Sequence, residues 1–351
     1  MPEKEFNIKG RKIGTGNPCF IIAEAGVNHN GSVELAIQMI KAAANAGADA
    51  VKFQTFKAEN LATDQAPKAA YQKAKTQENE SQLEMLKKLE LSDDAYPTLM
   101  AECDKNNILF MSSPFDETST DMLDAQGIAA FKIPSGEITN LPYLTHVARK
   151  NKPIILSTGM SYLDEVELAV KTIFSAGNHD LALLHCTSNY PAKPEGINLR
   201  AMATLSQTFH LPIGFSDHSE GIDIPVAAVA MGAVIVEKHF TLDRTLPGPD
   251  QTTSLEPDVL RAMVASIRKI ELAMGDGIKK PYASEAETAS VARKSIVSST
   301  IIIKGTKITE AQLTMKRPGT GLPSSMLSQV IGRIATTDIP AGSLITLEML
   351  G

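Results

Sequence analysis

The 351-residue sequence has no tryptophan, and phenylalanine and tyrosine together make up only 5% of it. Broad aromatic platforms for stacking bases or polysaccharide are therefore not expected. Cysteine is scarce too: Cys19, Cys103 and Cys186 are the only three, each among apolar neighbours. Three thiols make no disulfide framework, and they fit buried, reduced side chains in a cytoplasmic compartment. Long hydrophobic runs are missing. The longest, residues 224–236, has 13 residues, whereas a membrane-spanning helix needs roughly 20. Neither sign of charge dominates: 34 basic against 40 acidic residues leave a net charge of −6, which argues against a nucleic-acid-binding face. Residues 1–12 are charged and carry no apolar stretch, so no secretory leader is expected.

What is present suffices for a large folded core. Hydrophobic residues are 43% and charged residues 21%, a balance that excludes wholesale disorder. At about 150 residues per domain, the length predicts two to three domains, or one large domain and a small one.

Eight short apolar runs recur, at residues 20–23, 50–53, 108–111, 129–133, 153–156, 181–185, 212–215 and 233–236. Amphipathic stretches such as 33–46, 163–176 and 258–274 lie between them, with apolar residues at three- and four-residue steps. Strands alternating with helices imply βαβ units and a parallel sheet. Eight evenly spaced units predict a (β/α)₈ TIM barrel, with a doubly wound open sheet as the alternative. One step is long: polar, Ala-rich residues 57–80 precede a helical stretch at 82–91. A long loop after a strand's C-terminal end is expected at an active-site rim.

The texture changes after Met274. The predicted division is a barrel over 1–275, a linker over 276–294 and a small domain over 295–351. The last part has short β-branched runs at 295–303 and 332–339, and an internal echo. Gly305, Ile308, Thr309 and Leu313 recur as Gly342, Ile345, Thr346 and Leu350, each 37 residues later.

In a barrel of this kind chemistry collects at the C-terminal ends of the strands. There the sequence puts Glu24, then Lys52 and Gln54 alternating to face one side, Ser112 and Ser113, Lys132 with Ser135 and Glu137, and Ser157 with Thr158. The remaining ends bring Ser188 and Tyr190, then Ser216, Asp217 and His218, then Glu237 and His239. So many charges on an apolar barrel are costly unless they serve a ligand. His218 and His239 end neighbouring strands and can reach one ion; imidazole suits Mn, Fe, Co or Zn. His146, His179 and His210 read as surface residues, and His185 as a hydrogen-bonded core residue. Two inward lysines and a set of hydroxyls are what a phosphate requires. A single lysine can instead form a Schiff base.

The motifs IIAEAGVNHNG (21–31), DAVKFQTF (49–56), FKIPSGE (131–137), ILSTGM (155–160), LLHCTSNYP (183–191), GFSDHS (214–219), EKHFTLD (237–243), PGPD (247–250) and KRPGTG (316–321) run in one order along the chain. In this it resembles the sialic acid synthases. The resemblance implies a TIM barrel followed by a small C-terminal antifreeze-like (SAF, β-clip) domain, with the echo as that domain's pseudo-symmetry. It implies condensation of phosphoenolpyruvate with the open-chain aldehyde of an N-acylated mannosamine-type sugar. The expected product is N-acetylneuraminate; the alternative is N,N'-diacetyllegionaminate, made from 2,4-diacetamido-2,4,6-trideoxymannose.

The resemblance also implies roles. His218 and His239 hold Mn²⁺ or Mg²⁺. Lys52, Lys132, Ser135 and Ser157, with Ser113, Ser188 and Ser216 near, hold phosphoenolpyruvate. Glu24 stands beside the reacting carbon. Gln54, Glu137, Tyr190 and Asp250 form the wall around the sugar. Arg317 reaches the partner's barrel in a domain-swapped homodimer. Neither nucleic acid nor membrane is an expected partner. A Schiff-base pyruvate aldolase and a non-catalytic carbohydrate- or ice-binding protein are the competing readings.

Overall fold

The computed structural model describes residues 6–68 and 80–351. The chain divides into two compact units, Met1–Gly275 and Asp276–Gly351. The tip of the long 57–80 loop lies outside the described residues.

In the first unit, β1 (Phe6–Ile8) and β2 (Arg11–Ile13) form an antiparallel hairpin. Eight strands then close a parallel barrel: β3 (Phe20–Gly26), β4 (Ala50–Thr55), β5 (Leu109–Pro114), β6 (Phe131–Ile133), β7 (Ile154–Ser157), β8 (Leu181–Cys186), β9 (Ile213–Asp217) and β10 (Ile235–His239). Between them run α1 (Val33–Ala46), α2 (Ala58–Leu61), α3 (Gln82–Lys87), α4 (Ala95–Lys105), α5 (Glu117–Ala125), α6 (Leu141–Ala148), α7 (Leu163–Ser175), α8 (Ala201–Phe209) and α9 (Asp223–Ala230). Helix α10 (Pro257–Met274) follows the last strand. No described helix is long and apolar enough to cross a membrane.

Strand parity positions the chemistry. Side chains alternate between the two faces of a strand. Phe20, Ile22, Ala50, Met111, Ala130, Ile155, Ala182, Leu184 and Ile235 form an inner cluster. Phe6, Ile8 and Ile13 of the hairpin join the same cluster and stopper the N-terminal end. The opposite parity, including Ile21, Ala23, Val51 and Phe53, packs in the outer cluster with the helices. Continuing the inner parity upward gives Glu24, Lys52, Ser113, Lys132, Ser157, Ser216, Glu237 and His239. An apolar floor thus carries a polar mouth, and the ladder keeps its register, with His239 opposite Glu24 and Glu24 opposite Lys52.

The outer layer follows from amphipathic helices. Helix α1 starts at Ser32, whose hydroxyl accepts from the Leu35 amide, and buries Ala36, Met39, Ile40 and Ala43. At the foot of the barrel Asp49 accepts from the Ile21 amide (2.8 Å) and from Arg268 on α10 (3.0 Å), and it also pairs with Arg11 of the hairpin. Helix α3 stops at Lys87, short of the expected 82–91. Beyond it Leu89 packs with Val27 and Phe56, while Leu91 joins the outer cluster, so the chain must leave helical geometry between them.

In the second unit, residues 276–294 include a short helix, α11 (Ala286–Ala292). β11 (Ser295–Ser298) pairs antiparallel with β12 (Leu313–Lys316), and α12 (Leu327–Val330) follows. Residues 332–339, expected as a β-branched run, form only isolated bridges, Ile334 to Lys307, Ala335 to Leu350 and Ile339 to Ile302. The 37-residue echo is structural. Ile308 and Ile345 are both buried in one core, and Thr309 and Thr346 each open a short 3₁₀ turn.

Candidate active site

The mouth of the barrel opens into a cavity of about 460 Å³. At its base lies a buried cluster of two carboxylates and two ammonium groups. Lys52 Nζ is 2.7 Å from Glu24 Oε2 and 3.8 Å from Glu237 Oε2. Lys132 Nζ is 3.5 Å from Glu237 Oε1. Ser113 Oγ accepts from Lys52 (2.9 Å), Ser216 Oγ donates to Glu237 (3.1 Å), and Gln54, two residues beyond Lys52 on β4, donates to Glu24 (3.5 Å).

Burial sets the electrostatics here, because a desolvated charge persists only beside its opposite. Burial pushes Glu24 up to about 7, against the pull of Lys52. Burial also raises Glu237, but Lys132 and Lys52 outweigh it and hold its carboxyl below the usual range. Burial lowers Lys132, while Glu237 and Glu24 overcome the same penalty at Lys52 and raise it.

A glycine makes room above this base. Gly26 has φ +55°, at a register shift in β3. A Cβ there would sit 3.3 Å from Glu24 Oε1 and 3.7 Å from the His239 ring.

A second group collects hydroxyls. The Gly159 amide donates to Ser135 Oγ (2.9 Å). A Cβ on Gly159 would stand 2.4 Å from Ser188 Oγ and 2.8 Å from Ser135 Oγ, so only glycine lets these hydroxyls converge. Ser157 Oγ is buried close by in sequence with no hydrogen-bond partner among the described residues. Converging hydroxyls, one of them without a partner, in one cavity with two ammonium groups are the chemistry of an anion site.

The third group is the histidine pair. The rings of His218 and His239 have centroids 5.4 Å apart, and Tyr190 lies against both, at 4.1 and 5.7 Å. His218 Nδ1 donates to the Thr187 carbonyl (2.7 Å), which leaves Nε2 as its lone-pair nitrogen. His239 Nδ1 is buried without a partner among the described residues, and burial and nearby cations hold its ring neutral. Asp250 is also buried here, which pushes its carboxyl up to about 6. Burial lowers His218, but Cys186, Thr187 and Glu237 outweigh it and raise it, so the ring keeps its proton more readily than a free imidazole and would have to release it to ligate a metal. Two imidazoles this close, one of them held neutral, fit a divalent ion of the Mn, Fe, Co or Zn kind. No group of three or more possible ligands occurs among the described residues. Glu137, half-buried and bonded to Asn140 (2.8 Å), completes the polar wall.

All the barrel residues to which the resemblance gave a role thus line one cavity, whereas Ser112, Thr158 and Asp217, also read at the strand ends, do not. Their parity or backbone bonds hold them in the wall: Ser112 to the Phe53 carbonyl, Thr158 to the Leu184 carbonyl and Asp217 to Lys238. Arg317 does not line it either: it lies in the second unit, where its Nε donates to the Ala292 carbonyl (2.9 Å). Histidines read as outside the site are outside it; His146 pairs with Asp121 and His185 with the Ile197 carbonyl. The cavity also holds residues given no role from the sequence. Glu237 bridges both lysines, and Cys186 places Sγ 3.8 Å from His218 Nδ1. An apolar side made by Val27, Leu61, Met85, Leu86, Leu89 and Phe115 was not anticipated. These residues come from helices and loops, where an apolar residue reads as core.

The sequence model of the NeuB family matches residues 39–279, and that of the SAF domain matches residues 293–351. The chain is 47% identical over 339 residues to the N,N'-diacetyllegionaminic acid synthase of Legionella pneumophila, covering 95% of each. It is 49% identical over 327 residues to the protein of that name from Campylobacter jejuni, covering 93% of this chain and 98% of the relative. Among solved structures it is similar to the N-acetylneuraminic acid (sialic acid) synthetase of Leptospira borgpetersenii in complex with citrate. There the TM-score is 0.72 at 39% identity, with 82% of this chain and 95% of that one covered.

Proposed function

The chain belongs to the NeuB family and carries a SAF domain, and from that premise we propose that it condenses phosphoenolpyruvate with the open-chain aldehyde of an N-acylated mannosamine-type sugar. The products are a nine-carbon 2-keto acid and phosphate. One observation carries this reading: the Glu24–Lys52–Glu237–Lys132 cluster lies in one cavity with the His218–His239 pair.

The lysines and hydroxyls act as the anion site. Lys52 and Lys132 neutralise phosphoenolpyruvate's carboxylate and phosphate, and Ser135, Ser157, Ser188 and Ser216 supply neutral donors. Ser113 holds the Lys52 ammonium in place. Carbon 3 of the enol attacks the aldehyde carbon, which leaves carbon 2 cationic. Glu24, ionised, faces that centre and stabilises it. Water adds at carbon 2 and phosphate departs with cleavage of its C–O bond. Gln54, Glu137, Tyr190 and Asp250 orient the sugar so that its aldehyde meets carbon 3. His218 and His239 would hold a divalent ion, Mn²⁺ or Mg²⁺, which supplies Lewis-acid polarisation of an oxygen. Arg317 completes the site from a partner subunit in a swapped homodimer, the arrangement its KRPGTG motif supports. Three buried, unpaired cysteines support a cytoplasmic enzyme.

The apolar side of the cavity bears on the sugar. Leu61, Met85, Leu86 and Leu89 offer no hydrogen bond to a 6-hydroxyl but pack well against a 6-methyl. This supports 2,4-diacetamido-2,4,6-trideoxymannose, and hence the legionaminate product, over N-acetylmannosamine and N-acetylneuraminate.

The test supplies purified protein with phosphoenolpyruvate and each sugar in turn and follows phosphate release. The deoxy sugar should react with kcat/KM higher by at least about tenfold, the scale of one methyl-sized discrimination. Release with neither sugar overturns the synthase reading. A preference for N-acetylmannosamine overturns only the choice of sugar. Inactivation by borohydride with pyruvate would indicate a Schiff-base aldolase instead.

A further inference from the structure

The barrel carries one more charged pair near the site, on the far side of its wall. Asp217 and Lys238 have the parity opposite to the cavity residues and stand directly opposite each other on β9 and β10. Lys238 Nζ donates to Asp217 Oδ2 at 2.6 Å and also to the Ser219 carbonyl. The other oxygen of Asp217 accepts from the Ser219 amide at 2.9 Å. The two side chains are 0% and 1% exposed, the most deeply buried ion pair among the described residues. Neither lines the cavity.

Their positions in the chain are informative. Asp217 immediately precedes His218, and Lys238 immediately precedes His239. His218 stands at the top of a turn whose two flanks, Asp217 and Ser219, are both fastened to Lys238. The lysine therefore ties the strand end bearing one imidazole to the strand bearing the other. A buried ion pair is weak evidence of stability, because desolvation offsets much of its attraction, and apolar residues of similar volume often serve as well. Its best-attested use is to fix one arrangement over others.

We propose that Asp217 and Lys238 are positioning residues that set the separation and facing of His218 and His239 from behind the barrel wall. The inference rests on reading those histidines as ligands of a divalent ion. Support of this kind, one step removed from the metal, typically changes metal affinity by about 10- to 100-fold when lost. The geometry is also economical in sequence: each support is the outward neighbour of the inward residue it orients.

The experiment measures Mn²⁺ binding to metal-stripped protein by titration calorimetry and by electron paramagnetic resonance, without substrate. It uses the wild type, His239→Ala and the double variant Asp217→Asn/Lys238→Met, with thermal unfolding recorded for each. The double variant should keep a cooperative unfolding transition and raise the Mn²⁺ dissociation constant at least about tenfold. Asp217→Asn alone preserves the Ser219 amide contact and should show the same direction; it carries the test if the double variant does not fold. Lys238→Arg, which keeps a donor to both oxygens, should recover affinity in part. A purely structural pair would lower the unfolding midpoint and leave the affinity of the folded protein unchanged, which overturns the inference. If the wild type binds no Mn²⁺, or His239→Ala binds it as well as the wild type, the ligand reading falls and the inference with it.

Discussion

Lys52 Nζ lies 2.7 Å from Glu24 Oε2, with both side chains buried at the mouth of the barrel. The contact sits where the ladder sets β4 beside β3, so backbone pairing fixes it and no loop is needed. It also holds two roles in tension. Lys52 serves an incoming anion only by sharing its charge, and Glu24 serves a developing cation only while ionised. Burial pushes Glu24 up to about 7, so the nearby ammonium groups and its own ionisation are linked.

The first prediction follows from that link. Glu24→Gln keeps size and hydrogen bonding but removes the charge facing carbon 2. The kcat for phosphate release should fall by at least about 10²-fold while the KM for phosphoenolpyruvate changes little. Unchanged kcat would return Glu24 to a merely structural role.

Gly159 provides a second. A methyl there would meet Ser188 Oγ at 2.4 Å and Ser135 Oγ at 2.8 Å, and would push apart the hydroxyls read as the anion site. Gly159→Ala should raise the KM for phosphoenolpyruvate by about tenfold or more, equivalent to about 1.4 kcal/mol of binding. The KM for the sugar should move much less. Equal losses for both substrates would count against a dedicated anion site.

A third concerns the ion. Chelator should abolish turnover and added Mn²⁺ restore it, since the two imidazoles lie 5.4 Å apart and His239 Nδ1 is buried without a partner among the described residues. His239→Ala should lose activity while circular dichroism stays that of the wild type. Full activity in excess chelator would refute the ligand reading.

Stability against acid tests a residue outside the chemistry. His29 is fully buried, and its Nδ1 accepts from the Gly31 amide at 3.0 Å. Burial holds it down to about 4, from an ordinary value of 6.5. Between those values the unfolded chain binds the proton and the folded one does not, so stability falls as pH falls. This contribution is fully present above about 6.5 and is lost toward pH 4, to the extent of at most about 3 kcal/mol. Denaturant titrations at pH 7 and pH 5 should show a shallower loss for His29→Gln than for the wild type. Identical losses would remove His29 from the account.

The barrel itself was legible because eight apolar runs are a strong signal, but the strands are longer than the runs. The run at 20–23 becomes β3 through Gly26, and the run at 233–236 becomes β10 through His239. The hidden residues are the polar ones, which still pair in the ladder while their side chains rise into the cavity. Hydrophobic patterning therefore ends each strand where the site begins. Glu237 was visible as an inward charge, but its place between two lysines depends on barrel closure, which brings β4 and β6 near β10. Lys238 was invisible for the opposite reason. Its outward parity reads as helix-facing, and no local pattern reveals a lysine buried against an aspartate 21 positions earlier.

The last prediction concerns Arg317, which lies in the SAF domain by sequence and bonds to the Ala292 carbonyl within its own unit. A surface arginine in a Pro-Gly turn could be removed without consequence for catalysis. If instead it completes the site of a partner subunit, two inactive proteins should rescue each other. Arg317→Ala subunits are mixed with His239→Ala subunits, each inactive as a homodimer, and exchange is verified by mass. With action across the interface, each mixed dimer holds one site with both residues intact and one lacking both. Activity then approaches half of wild type per mixed dimer. If Arg317 serves its own barrel, every site in the mixed dimer lacks one of the two residues and nothing returns. Full activity of Arg317→Ala alone would leave it as an ordinary turn residue, and silence after verified exchange would refute the swapped arrangement.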